Sequence, residues 1–148
     1  MALYLLDTNI LIGLADTKAS DRPVARQAVR TLLGKGHTCV LAAQVLFEFW
    51  SVATRPVNVN GLGLTPEECR TEIDRLRSQF LLLDDTSSVF ERWLSLVTDL
   101  QVSGKRVHDI RLLALILEHG VTHILTLNSK DFPPIAGITI VEPSEVDE

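Results

Sequence analysis

Five short apolar runs, rich in leucine and β-branched residues, occur at residues 3–6, 38–42, 80–83, 123–127 and 138–141 and predict buried strands. Between them the apolar spacing turns helical. A helix over 23–33 has Asp21 before it as a cap and Gly34 and Gly36 after it, and a second over 43–53 stops ahead of Pro56. Thr65-Pro66-Glu67-Glu68 combines a capping residue, a proline at the first helical position and acids in the first turn, so a helix should run from there to about Ser78. Two more helices, over 86–102 and 109–118, are separated by Ser103-Gly104-Lys105-Arg106 and closed by His119-Gly120. Strands alternating with helices predict an α/β fold built on a parallel sheet.

Three acids break this apolar pattern. Leu5-Leu6-Asp7-Thr8-Asn9-Ile10-Leu11 puts Asp7 where the first strand ends and helix-like spacing begins, at the sheet edge where ligands bind in open α/β folds. Glu48 sits in Val45-Leu46-Phe47-Glu48-Phe49-Trp50, facing the core or its margin, and Asp109 opens Asp109-Ile110-Arg111-Leu112-Leu113-Ala114-Leu115-Ile116. Together they suggest one converging metal site. Each has a plainer alternative: a helix cap for Asp7, a salt bridge to Arg55 for Glu48, and the positive end of its own helix for Asp109.

Composition narrows the class. The 148 residues, 46% hydrophobic and 22% charged, suit one soluble domain spanning 1–148 with an acidic, frayed tail over 142–148. Asp7 interrupts the first apolar run, no basic segment precedes it, and no stretch is long enough to span a membrane, so a cytoplasmic protein is expected. Cys39 and Cys69 lack metal-ligand spacing and are expected to be reduced thiols without chemistry. A net charge of −5 would ordinarily exclude a nucleic-acid partner, but bound cations can neutralise a carboxylate site. The clusters Arg22, Arg26, Arg30; Arg70, Arg75, Arg77; and Lys105, Arg106, Arg111 are solvated helix faces or phosphate contacts. The Asn- and Gly-rich stretch 57–63 is a connection or a flap over a site.

Asp7 with Thr8 and Asn9, the helix-embedded Glu48, the helix-opening Asp109 and the late Leu125-Thr126-Leu127-Asn128-Ser129-Lys130-Asp131-Phe132 together resemble the PIN domain family, particularly its small bacterial VapC-like ribonuclease toxins. The likeness covers nearly the whole chain. It implies a three-layer α/β/α sandwich with a five-stranded parallel sheet and a ribonuclease site, dependent on Mg²⁺ or Mn²⁺, at the strands' carboxyl ends. It also implies an RNA substrate, a homodimer, and a small antitoxin partner that covers the acidic groove.

Such a site has a clear chemical logic. Phosphodiester hydrolysis requires an activated water, stabilisation of added negative charge and help for the leaving alkoxide, all of which hard cations held by carboxylate oxygens supply. Asp7, Glu48 and Asp109 are the expected metal ligands and catalytic acids, some of them acting through coordinated water. Burial and clustering should raise their pKa values, so metal affinity should rise with pH. Many relatives carry an acid two residues after the threonine, where this chain has Asn128; Asp131 compensates for it or caps the turn before Pro133-Pro134. The change bears on a second metal ion more than on the first. Thr8, Asn9 and Thr126 are expected to orient the acids by hydrogen bonds. His108 is expected to be a surface or capping residue, His119 and His123 are not spaced as paired ligands, and Trp50 and Trp93 are packing or dimer residues. Two other classes compete: a noncatalytic RNA- or protein-binding PIN domain, and a phosphotransfer domain with its aspartate after a strand. Against the second stand Asn9, where a second aspartate would be wanted, and the position of Asp109.

Overall fold

The computed structural model describes residues 1–15 and 23–147. Asp21 and Arg22 lie outside them. The strands are β1 (Leu3–Leu6), β2 (Thr38–Ala42), β3 (Leu81–Leu83), β4 (His123–Leu125) and β5 (Thr139–Val141). All pair in parallel, in the order β3-β2-β1-β4-β5. The helices are α1 (Thr8–Leu14), α2 (Pro23–Gly34), α3 (Ala43–Ala53), α4 (Pro66–Gln79), α5 (Ser87–Asp99) and α6 (Val107–Glu118).

The connections place these helices. The steps from β1 to β2 and from β2 to β3 run outward one way, whereas β3 to β4 returns across the sheet, so right-handed crossovers send α1–α4 to one face and α5 and α6 to the other. Consistent with this, α1 packs on α2 and α3, and α5 packs on α6. Leu5, Leu6, Leu41 and Ile124 from the strands, with Ile10, Phe49, Leu113 and Ile116 from the helices, are fully buried between the layers. Central strands covered on both faces carry continuous apolar runs, and the sequence shows them. The strand order reverses between β1 and β4, which opens a crevice at their carboxyl ends. No helix among the described residues is long and apolar enough to cross a membrane.

Several element ends differ from the expected ones for local reasons. Phe80 does not begin β3; it caps α4, its N–H donating to the Leu76 carbonyl. Thr65 and Glu68 form the reciprocal capping box at the other end of that helix. The helix expected to reach Val102 stops at Asp99, because Gln101 turns left-handed (φ 52°) and sends the Val102 N–H back to Val97. A single turn over Gly104–Arg106 starts α6 two residues early, so Asp109 lies in its first turn instead of opening it. The tail is not frayed up to Asp147. Pro143 is buried, Glu142 and Glu145 cap a turn, Ser129 donates to the Glu142 carboxylate, and Lys35 reaches the Asp147 carbonyl.

The stretch after α3 is tied down at both ends: Leu64 N–H donates to Ala53 at 2.9 Å, Gly63 to Arg55 at 2.8 Å, and Val59 and Gly61 both to Pro56 at 3.0 Å. Leu62 is buried beneath it. Gly61 allows this path, since a Cβ there would lie 2.0 Å from the Arg55 carbonyl oxygen, a backbone atom that cannot step aside. Gly61→Ala is therefore expected to destabilise the protein by about 2–3 kcal/mol, read as a lower urea midpoint at unchanged slope.

Candidate metal centre

Asp7 is the first residue beyond β1 and the N-cap of α1, so the strand's end and the helix's start fix it from both sides. Its N–H continues the sheet to the Leu125 carbonyl at 3.0 Å. Its carboxylate is buried: Oδ1 accepts from its neighbour's amide, Thr8 N–H, at 2.8 Å, and Oδ2 from the Thr126 hydroxyl at 2.8 Å. The capping alternative and the site role thus fall on the same atoms. Asn9 braces the same corner, donating to Thr126 Oγ1 at 3.3 Å and accepting from the Leu127 N–H at 3.0 Å. Thr126 Oγ1 also accepts from the Asn128 N–H at 3.0 Å, which closes the turn after β4 around Asp7.

Glu48 departs from its expected setting. It is exposed at the groove instead of facing the core, as is its neighbour Phe47, while Leu46 and Phe49 take the buried face of α3. Among the described residues it forms no ion pair with Arg55. Its Oε2 accepts from the Thr8 hydroxyl at 2.7 Å and its Oε1 from Gln44 Nε2 at 3.2 Å. Asp109 is half-buried, and Asp131 ends the single turn over Ser129–Asp131 and is exposed. Neither carboxylate has a hydrogen-bond donor among the described residues, so Asp131 does not cap its turn through its side chain.

These residues line one groove of about 710 Å³: Asp7, Thr8, Asn9, Glu48, Asp109, Asn128 and Asp131 on one side, with Asn60, Gly61 and Leu62 forming its other wall. Among the described residues its lining holds four carboxylates and no lysine or arginine. Their field acts on Asp7 and Asp109. Asp7 is raised above the ordinary aspartate range, chiefly by burial, against which the Thr126 and Thr8 hydrogen bonds act; Glu48 and Asp131 raise it further. Asp109 is raised to about 6 by burial, then by Asp131, Asp7 and Glu48, with Arg106 opposing.

The donor set fits a hard divalent cation: it is made only of oxygens, it is negative, and its half-buried Asp109 carboxylate has no hydrogen-bond donor among the described residues. No three acids among the described residues stand close enough to hold an ion by direct contacts alone.

Other candidates lie elsewhere. His108 is exposed, and its backbone carbonyl, not its ring, joins the site by accepting from Gln44 at 2.8 Å. His119 contacts the Asp84 carbonyl at 2.7 Å, and His123 stacks on Tyr4 with ring centroids 4.5 Å apart. Trp93 donates to the Val107 carbonyl at 2.8 Å, and Trp50 packs on the core. Arg26 and Arg75 hold the carbonyls of Ala15 and Leu14 at the end of α1, away from the groove lining. Cys39 and Cys69 are buried free thiols, with Cys39 pushed to about 12 by burial. Gln44 is the part of the site that sequence reasoning missed, and Arg111, read there as a solvated helix face or a phosphate contact, instead bonds Gln44 and Asp85. The available signal was a polar residue one helical turn before Glu48 in an otherwise apolar stretch.

The raised Asp109 has a consequence for stability. Its carboxyl titrates near 6 when folded and near 3.8 otherwise, so the folded chain holds the proton more tightly and stability falls as pH rises between those values, then levels. With metal removed by EDTA, Asp109→Asn is expected to raise stability at pH 7. Solvent screening of this half-buried group limits the gain to about 1 kcal/mol, or about 2–4 °C in Tm. Thermal melts at pH 4 should show the gain gone.

Comparison with known proteins agrees with this architecture. No curated protein sequence matches the chain. Among solved structures, a chain of a toxin–antitoxin complex from Klebsiella pneumoniae is 25% identical, with TM-score 0.66 over 99% of this chain and 100% of that one. VapBC2 from Rickettsia felis, bound to a DNA fragment from its promoter, gives TM-score 0.71 at 18% identity over 95% of this chain and 98% of the other. VapBC-1 from nontypeable Haemophilus influenzae gives 0.69 at 19% identity over 96% and 98%. At such identities the last two show the shared fold, a five-stranded parallel sheet flanked by helices. The sequence profile of the PIN domain matches residues 4–137, and the chain belongs to the PIN domain family.

Proposed function

We propose that the protein is an endoribonuclease dependent on Mg²⁺ or Mn²⁺, and the toxin of a toxin–antitoxin pair. The observation that carries this reading is the groove at the strand-order reversal, lined by Asp7, Glu48, Asp109 and Asp131 without a basic side chain among the described residues. A phosphodiester is anionic, and like charges repel, so this groove receives one only with cations between. Asp7, Asp109 and Glu48 would hold the ion. When bound, it supplies positive charge to the phosphate and an activated water for attack. Thr126 and Thr8 favour the ionised form of Asp7 by donating to it, working against its burial, and Thr8 turns Glu48 toward the same space. Asn128 offers a carbonyl oxygen without charge, and Asp131 brings the fourth carboxylate to the groove. A phosphotransfer role is disfavoured by Asn9, which stands where a second aspartate would be wanted.

The Klebsiella chain, found within a toxin–antitoxin complex, supports a small antitoxin as partner. The same reading makes the protein a cytoplasmic homodimer.

The decisive experiment is cleavage of a mixed pool of structured RNAs with Mg²⁺, Mn²⁺ or EDTA. Cutting is expected with either metal, to vanish with EDTA, and to fall at least about 100-fold in Asp7→Asn and Asp109→Asn, since even residues that only support a metal ligand cost up to that much. Wild-type protein that is folded, free of antitoxin, inert toward RNA and unable to bind Mn²⁺ would instead make this a noncatalytic binding module. A second expectation concerns Mn²⁺ binding followed by melting: the metal should raise Tm by mass action, more at pH 8 than at pH 5.5, because below about 6 protons compete for Asp109.

A further inference from the structure

Three polar or charged side chains are buried among the described residues: Asp7, Thr126 and Gln44. Asp7 and Thr126 bond to one another, whereas Gln44 serves Glu48. Its amide is used at both ends. Nε2 donates to Glu48 Oε1 at 3.2 Å and to the His108 carbonyl at 2.8 Å, while Oε1 accepts from Arg111 Nη1 at 3.2 Å. A guanidinium only donates, so this contact dictates which end of the amide is oxygen and leaves the N–H groups for Glu48 and His108. Arg111 is in turn held by Asp85, which accepts from its Nη2 at 2.9 Å. A line of contacts thus runs from the connection after β3, through α6, into α3, and ends on a carboxylate that lines the groove. On the far side of that carboxylate stands the Thr8 hydroxyl.

Glu48 needs such support. It is exposed and has a long side chain, whose freedom a bound ion would have to remove at a cost in affinity. Donors on both oxygens remove that freedom beforehand.

We propose that Gln44 is a positioning residue of the metal site, holding the Glu48 carboxylate toward the groove, with Arg111 setting the orientation of the Gln44 amide. This rests on the metal-dependent reading above.

Calorimetric titration of the full chain with Mn²⁺ tests it as a double-mutant cycle. Gln44→Met is expected to weaken Mn²⁺ binding about tenfold in the wild-type background and less than about twofold in a Glu48→Ala background, because its effect passes through Glu48. Arg111→Met should weaken binding about threefold and Arg111→Lys should restore it, a comparison that decides the matter if Gln44→Met does not fold. Wild-type protein that binds no Mn²⁺ overturns the metal reading and this role together. Wild-type binding that is unaffected by Gln44→Met, or weakened equally with and without Glu48, overturns the positioning role alone. So does Arg111→Met binding that matches wild type.

Discussion

Placing the Asp7 carboxylate at the end of a buried central strand costs free energy, which is offset by hydrogen-bond donors and, among the described residues, not by a positive charge. The choice has consequences. A lysine or arginine partner would satisfy the carboxylate and neutralise it. An amide and a hydroxyl satisfy it without adding an opposing charge, and Asp7 is among the acids that raise Asp109. The donors come from places that only the fold brings together: the first turn of α1 and the residue after β4. The register of β1 against β4, with Leu6 opposite Leu125, is what sets Thr126 beside Asp7.

The strand runs and most helix bodies were legible in the sequence because burial on both faces of a parallel sheet demands uninterrupted apolar residues, and helices facing it demand a 3.6-residue period. Ends were less legible. Phe80 is apolar and borders a strand, yet the last turn of α4 uses its N–H; the left-handed Gln101 closes α5 although nothing about a glutamine announces that conformation. Glu48 shows the same limit. Its apolar neighbours suggested an inward-facing charge, but a one-residue step around a helix is about 100°, enough to put Phe49 in the core and Glu48 in the groove. Asp7 could be placed because a strand end is a local feature, and Asp109 to within the first turn of its helix. The bond from Arg111 to Gln44 could not, since it joins α6 to α3 across 67 positions of sequence.

Stability and charge are set against each other in the groove. Four carboxylates share it, two of them lack a donor among the described residues, and the tied-down stretch around Leu62 walls them in from the other side. Such an arrangement is strained without a cation. Sites built for ligands commonly accept this kind of local cost, which the apolar layers around Leu5, Phe49 and Leu113 underwrite.

The bond between Thr126 and Asp7 spans 119 positions of sequence. During synthesis β1, Asp7 and α1–α6 emerge before the hydroxyl that braces Asp7, and β4, which covers that edge of β1, follows α6. A nascent chain halted before residue 126 therefore has Asp7, Glu48 and Asp109 but neither Asp131 nor their arrangement. The centre is completed only once residues 126–131 have been made, so ribosome-bound intermediates and fragments that stop before them carry most of the groove's charge without its geometry.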